Sequence, residues 1–148
     1  MTALFSAKSI TKKYGRQIGC EDVSFDVYAG EVLGIVGESG SGKSTLLNCI
    51  SGQIGFDSGS VHFDMRDRGF CDIATLSEPE RRFLARTDMA FVHQNPRDGL
   101  RMAVSAGGNI GERLMNIGAR HYGDIRATAS EWMSRVELST NRIDDRPF

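Results

Sequence analysis

The sequence Gly37-Glu38-Ser39-Gly40-Ser41-Gly42-Lys43-Ser44 decides the fold class of this chain. It satisfies every position of the pattern G-x-x-x-x-G-K-[ST], which is typical of a loop that holds phosphate groups. Glycines let consecutive backbone amides turn inward around an anion, and a helix that begins near Lys43 adds the positive end of its dipole. The motif therefore predicts a phosphate-binding loop between a strand and a helix of an α/β protein.

The residues on either side of the loop supply that context. Glu31-Val-Leu-Gly-Ile-Val36 is continuously apolar after Glu31, which predicts a parallel strand covered on both faces. After the loop, residues 44–50 have helical composition and end before Gly52, a residue that can cap the C-terminus of a helix. The order of strand, loop and helix is the one that a phosphate loop requires.

Three side chains of the loop have specific predicted tasks. Lys43 is expected to reach the β- and γ-phosphates of a nucleotide, and the Ser44 hydroxyl is expected to ligate Mg²⁺. Thr45 is expected to lie close to the α-phosphate. The remaining loop residues are expected to surround the phosphates with their backbone, and they are Gly37, Glu38, Ser39, Gly40, Ser41 and Gly42.

Two further candidates lie outside the loop. Tyr14, near the end of the first strand segment, can stack its ring on adenine, or it can be a simple packing or surface residue. Gln94 follows the apolar run 91–93, and a polar side chain at the carboxyl end of a strand in an α/β sheet points at the ligand crevice. The neighbouring His93 has no carboxylate or nucleophile partner in view and is interpreted as a structural histidine.

Hydrophobic periodicity predicts the remaining elements. Alternating residues indicate strands, and apolar residues at helical spacing indicate amphipathic helices. Ser77-Glu-Pro-Glu80 predicts a capping box that opens a helix. The predicted strands cover residues 4–14, 23–28, 58–63 and 89–93, with a turn at 29–30, and the predicted helices cover residues 77–86, 104–118 and 124–137.

Composition bounds the kind of protein. With 148 residues, 40% of them hydrophobic and 25% charged, the chain fits a single globular domain. The formal net charge of -1 offers no global field for nucleic acid or anionic lipid. The three cysteines include no C-x-x-C pair, which indicates reduced thiols, and no apolar run approaches the roughly 20 residues that span a bilayer. A cytoplasmic protein that is neither a dedicated DNA binder nor inserted in a membrane is therefore expected.

Taken together, these segments resemble the ATP-binding cassette (ABC) ATPase family. Residues 98–115, 118–129 and 141–145 are similar to the branch of that family associated with the bacterial carbon–phosphorus lyase system, which handles phosphonates. The resemblance covers essentially the whole chain and is weakest over residues 65–75. The segments that follow the family's order are Asp22-Val-Ser-Phe25, Gly30-Glu-Val-Leu-Gly-Ile-Val-Gly37, the phosphate loop and Val92-His-Gln-Asn-Pro96.

The resemblance implies the fold and the division of the chain. It implies a P-loop NTPase of the ABC cassette type, incomplete here, with an antiparallel β subdomain, part of a parallel core and a helical subdomain. The β subdomain and phosphate-loop core would occupy residues 1–94. Residues 95–148 would begin the helical subdomain that docks on a partner, which would give a purpose to the eleven Arg and no Lys found after residue 75.

The resemblance also implies roles for individual residues. Tyr14 would stack on adenine, and Gln94 would sense the γ-phosphate and Mg²⁺. Lys43 and Gln94 would then be the catalytic side chains, and Ser44 and Gln94 the metal ligands. The implied cofactors are ATP and Mg²⁺. The implied partners are subunits of the carbon–phosphorus lyase core complex and, in a full-length form, a second ABC cassette.

The sequence departs from the family after Arg146-Pro147. Family members continue with a Ser-Gly-Gly signature, an apolar strand that ends in Asp and a catalytic Glu, and a switch His, none of which is found here. The chain is therefore expected to be the N-terminal part of a longer protein. Because a bound γ-phosphate still needs a group that polarises the attacking water, we expect binding without turnover. An uncovered sheet edge would make the isolated chain poorly soluble or marginally stable.

Several functions remain open at this stage. The leading hypothesis is an ATP-binding subunit in phosphonate breakdown that couples ATP binding and hydrolysis to rearrangement of a lyase complex. The alternatives are an ATP-binding subunit of a dipeptide or oligopeptide importer, and an interaction module that binds nucleotide without turnover. A small-molecule kinase is disfavoured, because it would not need alternating strands on both sides of the loop.

Overall fold

A computed structural model describes residues 2–147 of the chain. It contains two compact units that divide between Leu84 and Ala85. The first unit carries the phosphate-loop sequence and Tyr14, and the second carries Gln94. This division falls earlier in the chain than the boundary after residue 94 that the resemblance implied.

The first unit is built on a four-stranded antiparallel sheet. Strands β1 (Phe5–Tyr14) and β2 (Gln17–Val27) form a hairpin; both strands were predicted, although β2 begins earlier than the expected residue 23. Strand β3 (Ser58–Met65) pairs with the other edge of β1, and β4 (Gly69–Asp72), which the sequence did not predict, completes the order β2-β1-β3-β4. Ala7 and Ile10 of β1 and Val61 of β3 are fully buried.

Helix α1 (Lys43–Ile50) follows the phosphate loop and contacts β1 and β2. Its buried side chains are Leu46 and Cys49, one helical turn apart, so a single face of the helix is covered. The helix ends as predicted, because Gly52 adopts the left-handed conformation, with φ of 73°, directly after the C-cap residue Ser51.

Two of the predicted strands are wrong. Residues 31–36 and 89–93 have no regular secondary structure, and Val32, Val36 and Val92 are 95%, 93% and 91% exposed. An apolar run becomes a strand only where a neighbouring strand takes up its backbone hydrogen bonds. Within residues 2–147 neither segment has such a neighbour, since the sheet contains β1 to β4 alone. The parallel part of the expected fold is therefore not formed in the described residues.

Helix α2 (Glu78–Thr87) begins with one half of the predicted capping box, the return of the Glu80 side chain to Ser77. The Glu80 carboxylate reaches back and accepts from the Ser77 backbone amide at 2.7 Å, and the Ser77 hydroxyl donates to the same oxygen at 2.7 Å. Arg68 forms an ion pair with Glu80. The hydrogen bonds from Ser77, with support from Arg68, lower the pKa of Glu80 to about 2 from its ordinary 4.5.

The second unit contains the two predicted amphipathic helices, α3 (Ala106–Asn116) and α4 (Tyr122–Arg135). Ala129 and Met133 of α4 form a buried cluster with Ile143, and Ala106 and Ile110 of α3 pack against it. Gly107 and Gly111 lie on the packed face of α3. A Cβ added at Gly107 would come within 2.6 Å of Ile143 Cγ1, and one at Gly111 within 2.6 Å of Ile125 Cγ2. Small residues here let α3 approach its neighbours closely.

An ion pair connects the segment after α4 to this helix. Arg126 of α4 donates from both terminal nitrogens to Asp144, at 2.7 and 2.8 Å. Such a bidentate Arg–carboxylate pair is stronger than one with a single hydrogen bond. The hydrogen bonds from Arg126 lower the pKa of Asp144 below its usual value. Residues 140–145 are thereby held near the cluster that Ile143 completes.

Replacing Glu80 by Gln tests the start of α2. Because the pKa of Glu80 in the folded chain lies below its ordinary value, its contribution to stability is present above pH 4.5 and is lost as the pH falls toward 2. Glu80→Gln should therefore lower the urea midpoint of unfolding at pH 7, and the difference from the parent chain should shrink between pH 4.5 and pH 2. Glu131→Gln, at an exposed position of α4, is the control. A difference that stays constant with pH would contradict this role.

Candidate functional site

The phosphate-loop residues form an exposed turn at the start of α1. Gly40 and Gly42 have φ of 82° and 93°, in the left-handed region that favours glycine. The Ser41 backbone amide donates to the Glu38 carbonyl at 3.2 Å, and the Leu46 amide donates to the Gly42 carbonyl at 2.9 Å as the helix begins. Both glycines are therefore needed for the path of the backbone, and a Cβ at Gly40 would meet no atom within 4 Å.

The phosphate loop packs against a β-bulge in β2. Lys12 pairs with Cys20 and Lys13 pairs with Ile18, so Gly19 between them has no partner residue on β1. A bulge of this kind redirects the backbone groups of the extra residue. The carbonyl of Gly19 lies against Gly42, where an added Cβ would overlap its oxygen. The loop consequently rests directly on the backbone of the sheet.

The Lys43 side chain binds oxygen atoms of its own loop. Its Nζ donates to the Gly37 carbonyl at 2.8 Å, to the Glu38 carbonyl at 2.5 Å and to the Ser41 hydroxyl at 3.2 Å. All three protons of the ammonium group are thus directed toward loop oxygens. The arrangement fixes a positive charge within the loop, which is the charge that Lys43 was predicted to present to phosphates.

The first turn of α1 is free of competing side chains. Gly42 provides no side-chain cap, and the first turn contains no acidic residue. The leading N–H groups of a helix lack partners inside the helix, and they carry the positive end of its dipole. Ser44 is exposed at this end, while Thr45 faces β2, with its Cγ2 2.8 Å from the position of a Cβ added to Gly19. An anion can therefore be held by the loop and the helix end together.

Tyr14 is the last residue of β1 and lies beside the bulge in β2. Its ring carbon Cε2 is 3.0 Å from the position of a Cβ added at Gly19, so Gly19 separates Tyr14 from Thr45. The ring is 51% exposed, which leaves surface for a ligand to stack on. The structure thus brings Tyr14 and the phosphate loop together at one residue. Sequence reasoning missed Gly19, although an isolated glycine within a strand pattern indicates a bulge or a close backbone approach.

Gln94 belongs to the second unit, where it is exposed in a bend that follows the irregular segment 89–93. The neighbouring His93 makes an edge-on contact with Phe91, with ring centroids 4.9 Å apart, in keeping with a structural histidine. The same region is held to α3 by Arg113, which donates to the carbonyls of Thr87 and Met89 at 3.2 and 3.1 Å.

Other kinds of chemistry find little support near the loop. Burial, followed by the neighbouring Cys20 thiol, raises the pKa of the Cys49 thiol to about 11, so Cys49 is a poor nucleophile at neutral pH. Within residues 2–147 no three His, Cys, Asp or Glu side chains lie together in a way that could hold a metal ion. The exposed Ser44 hydroxyl at the start of α1 is an oxygen donor of the kind that magnesium takes.

Comparison with known proteins agrees with this geometry. The family model described as ABC transporter matches residues 20–148, so the chain belongs to the ABC transporter ATPase family. It is 56% identical over 144 residues to the putative phosphonates utilization ATP-binding protein PhnK of Escherichia coli strain K12. The aligned region covers 97% of this chain and 55% of PhnK. The phosphonates import ATP-binding protein PhnC of Fusobacterium nucleatum is 37% identical over 95 residues, 64% of this chain and 36% of that protein.

Solved structures show the same fold. The dimeric structure of MJ0796, a bacterial ABC transporter cassette, superposes with a TM-score of 0.82 and 28% identity, over 97% of this chain and 61% of that one. A second dimeric structure of MJ0796, in a post-hydrolysis state bound to ADP and Pi, gives a TM-score of 0.81 with the same coverage. The chain therefore has the fold of an ABC cassette, and it spans 55% of the length of PhnK and 61% of the length of the MJ0796 chains. None of the helices within residues 2–147 is long and apolar enough to cross a bilayer.

Replacing Gly42 by Ala tests the seat of the loop. The new Cβ would overlap the Gly19 carbonyl, and an L-residue at this positive φ costs about 1–2 kcal/mol by itself. Gly42→Ala should therefore displace the loop and reduce binding of inorganic triphosphate at least about tenfold, measured by equilibrium dialysis. Gly55→Ala is the matched control, because a Cβ there meets nothing within 4 Å. Equal affinities of the two variants would show that the contact with Gly19 does not shape the loop.

Proposed function

We propose that this chain binds ATP with Mg²⁺ and serves as nucleotide-binding subunit of a cytoplasmic system for phosphonate breakdown, the carbon–phosphorus lyase system. The observation that carries the nucleotide site is the phosphate loop seated on Gly19, with the Lys43 ammonium inside it and the uncapped end of α1 beside it. The identity to a protein named for phosphonates utilization, over nearly the whole chain, supports the biological setting.

The proposed binding mode assigns each part of the triphosphate to a group on the first unit. The backbone of residues 37–42 and the first turn of α1 would surround the phosphates, and Lys43 would pair with the β- and γ-phosphates. The Ser44 hydroxyl would ligate Mg²⁺, and Thr45 would lie at the α-phosphate. Tyr14, placed next to Thr45 across Gly19, would receive the adenine ring.

Hydrolysis of ATP requires protein groups that binding does not require. Bound ATP and Mg²⁺ supply the transferable phosphoryl group and part of the charge that stabilises it. Lys43 would offset negative charge on the phosphates, and Gln94 would sense the γ-phosphate and the magnesium ion. A group that polarises the attacking water is still required, and neither of these two side chains is a general base. We therefore propose that the residues of this chain bind the nucleotide, and that hydrolysis requires such a group in addition.

The second unit offers a surface for a protein partner. Trp132, Val136 and Leu138 are exposed on and just after α4, and the Arg135 guanidinium lies 4.3 Å from the Trp132 ring centroid. Exposed aromatic and arginine side chains are typical of the centre of protein interfaces. We propose that this surface contacts a subunit of the lyase core complex, and that a full-length form pairs with a second cassette, as the dimeric MJ0796 structures do with their own copies.

An importer subunit is the second candidate. Relatives named for phosphonates import and methionine import match this chain at 37% and 31% identity. The same helical region would then dock on a membrane permease. Neighbouring genes discriminate between the two, because permease genes would favour import and lyase genes would favour phosphonate breakdown.

Replacing Lys43 by Ala tests the nucleotide site. The substitution removes the charge that faces the β- and γ-phosphates, so ATP binding measured by calorimetry should weaken about a hundredfold or more. Lys13→Ala, an exposed lysine outside the loop, is the control for net charge. Phosphate release should be measured separately. Unchanged ATP affinity in Lys43→Ala would contradict the site, and sustained release that depends on Lys43 would contradict the need for an additional group.

A pull-down tests the biological setting. A full-length homologue that contains this region should co-purify with the carbon–phosphorus lyase core complex when ATP is present, and Trp132→Ala should weaken that association about tenfold or more, as for an interface hot spot. Glu131→Gln, next to it on α4, is the control. Absence of any association for the unmodified homologue would remove the lyase proposal while leaving the nucleotide site untouched.

A further inference from the structure

Tyr14, Lys12 and Asp57 are linked by contacts that the binding mode above does not use. The Lys12 Nζ lies 5.7 Å from the centroid of the Tyr14 ring, within the range of a cation–π interaction. The same nitrogen lies 3.3 Å from Oδ1 of Asp57. The Lys12 side chain is only 20% exposed, so most of it is covered by its neighbours.

Asp57 is itself fixed to the backbone of β1. Its Oδ2 accepts from the Lys13 backbone amide at 2.6 Å, and its own amide donates to the Thr11 carbonyl at 2.8 Å. The hydrogen bond from the Lys13 amide, followed by the one from Lys12, lowers the pKa of the Asp57 carboxyl below its usual value. Asp57 therefore stays charged near neutral pH and holds its place beside Lys12.

The Tyr14 ring is restrained on two sides by these contacts. Lys12 is over the ring, and the ring carbon Cε2 is next to Gly19 at the β-bulge. About half of the side chain remains exposed, at 51%. A ring held in this way does not have to be ordered by the ligand, which lowers the entropy cost of stacking a base on it.

We propose that Lys12 and Asp57 are positioning residues for the nucleotide base. Asp57 fixes the Lys12 ammonium, and Lys12 holds the Tyr14 ring in the orientation that receives a planar aromatic base. This inference rests on the proposed function, because it takes the nucleotide to stack on Tyr14. It predicts that Lys12 and Asp57 influence ligands that carry a base and leave ligands made of phosphate alone unaffected.

Two ligands separate base binding from phosphate binding in the 148-residue chain. ATP engages both Tyr14 and the loop, whereas inorganic triphosphate engages the loop alone. Lys12→Met keeps the length of the side chain and removes its charge. It should weaken ATP binding about two- to fivefold, the range for an exposed cation–π contact, and leave triphosphate binding unchanged. Asp57→Asn should act in the same direction, and Lys12→Arg, which also stacks on aromatic rings, should restore the ATP affinity.

Lys13→Met is the matched control. It removes the same charge from the next residue, whose Nζ pairs with Glu21 at 3.2 Å and lies outside the contacts to Tyr14. The backbone amide that Asp57 accepts from is retained. Tyr14→Ala measures the full loss of the ring, and circular dichroism of each variant reports whether the sheet is intact.

The outcomes separate this inference from the proposed function. A drop in the ratio of ATP to triphosphate affinity for Lys12→Met and Tyr14→Ala, and none for Lys13→Met, would support the positioning role. Equal ratios for Lys12→Met and Lys13→Met, with a lower ratio for Tyr14→Ala, would overturn it and leave the nucleotide site standing. Failure of the unmodified chain to bind either ligand would overturn the proposed function and this inference with it.

Discussion

The contact between the Gly42 backbone and the Gly19 carbonyl is the constraint on which the candidate site depends. It requires two glycines, because a side chain at position 42 would overlap the carbonyl and one at position 19 would press on Tyr14 and Thr45. The contact is made at the bulge in β2, where Gly19 has no partner residue on β1 and a bulge redirects the backbone groups of the extra residue. The shape of the phosphate loop is thus coupled to the register of an antiparallel hairpin that precedes it in the chain.

This coupling explains how distant parts of the sequence come together at one place. Tyr14 ends β1, Gly19 lies in β2, and Thr45 lies in the first turn of α1. The bulge lies where all three come close together, because a Cβ added at Gly19 would meet both Tyr14 and Thr45. The base and phosphate groups of a nucleotide would then be recognised by groups that share a single rigid support, the hairpin formed by β1 and β2.

Local patterns in the sequence were sufficient wherever the interaction that forms an element is itself local. The phosphate loop, the end of α1 at Gly52, the return of Glu80 to Ser77 and the two amphipathic helices all depend on residues a few positions apart, and all were predicted. The strands at 31–36 and 89–93 were not found, because strand formation depends on a neighbouring strand that a hydrophobic run does not reveal. The bulge at Gly19 and the contact of Asp57 with Lys12 were missed for the same reason, since each joins residues whose proximity is set by the sheet.

The glycines of α3 carry a consequence for how the second unit is assembled. Glycine is a poor helix former, so Gly107 and Gly111 weaken α3 as an isolated segment. What offsets that weakness is close packing on Ile125 and Ile143, together with the hydrogen bond from the Gly107 amide to the Ile143 carbonyl. During synthesis on the ribosome, residues 106–116 would leave the exit tunnel well before Ile143 does. Their helix should consequently form late, as part of one cooperative step with α4, rather than in the order in which the chain is made.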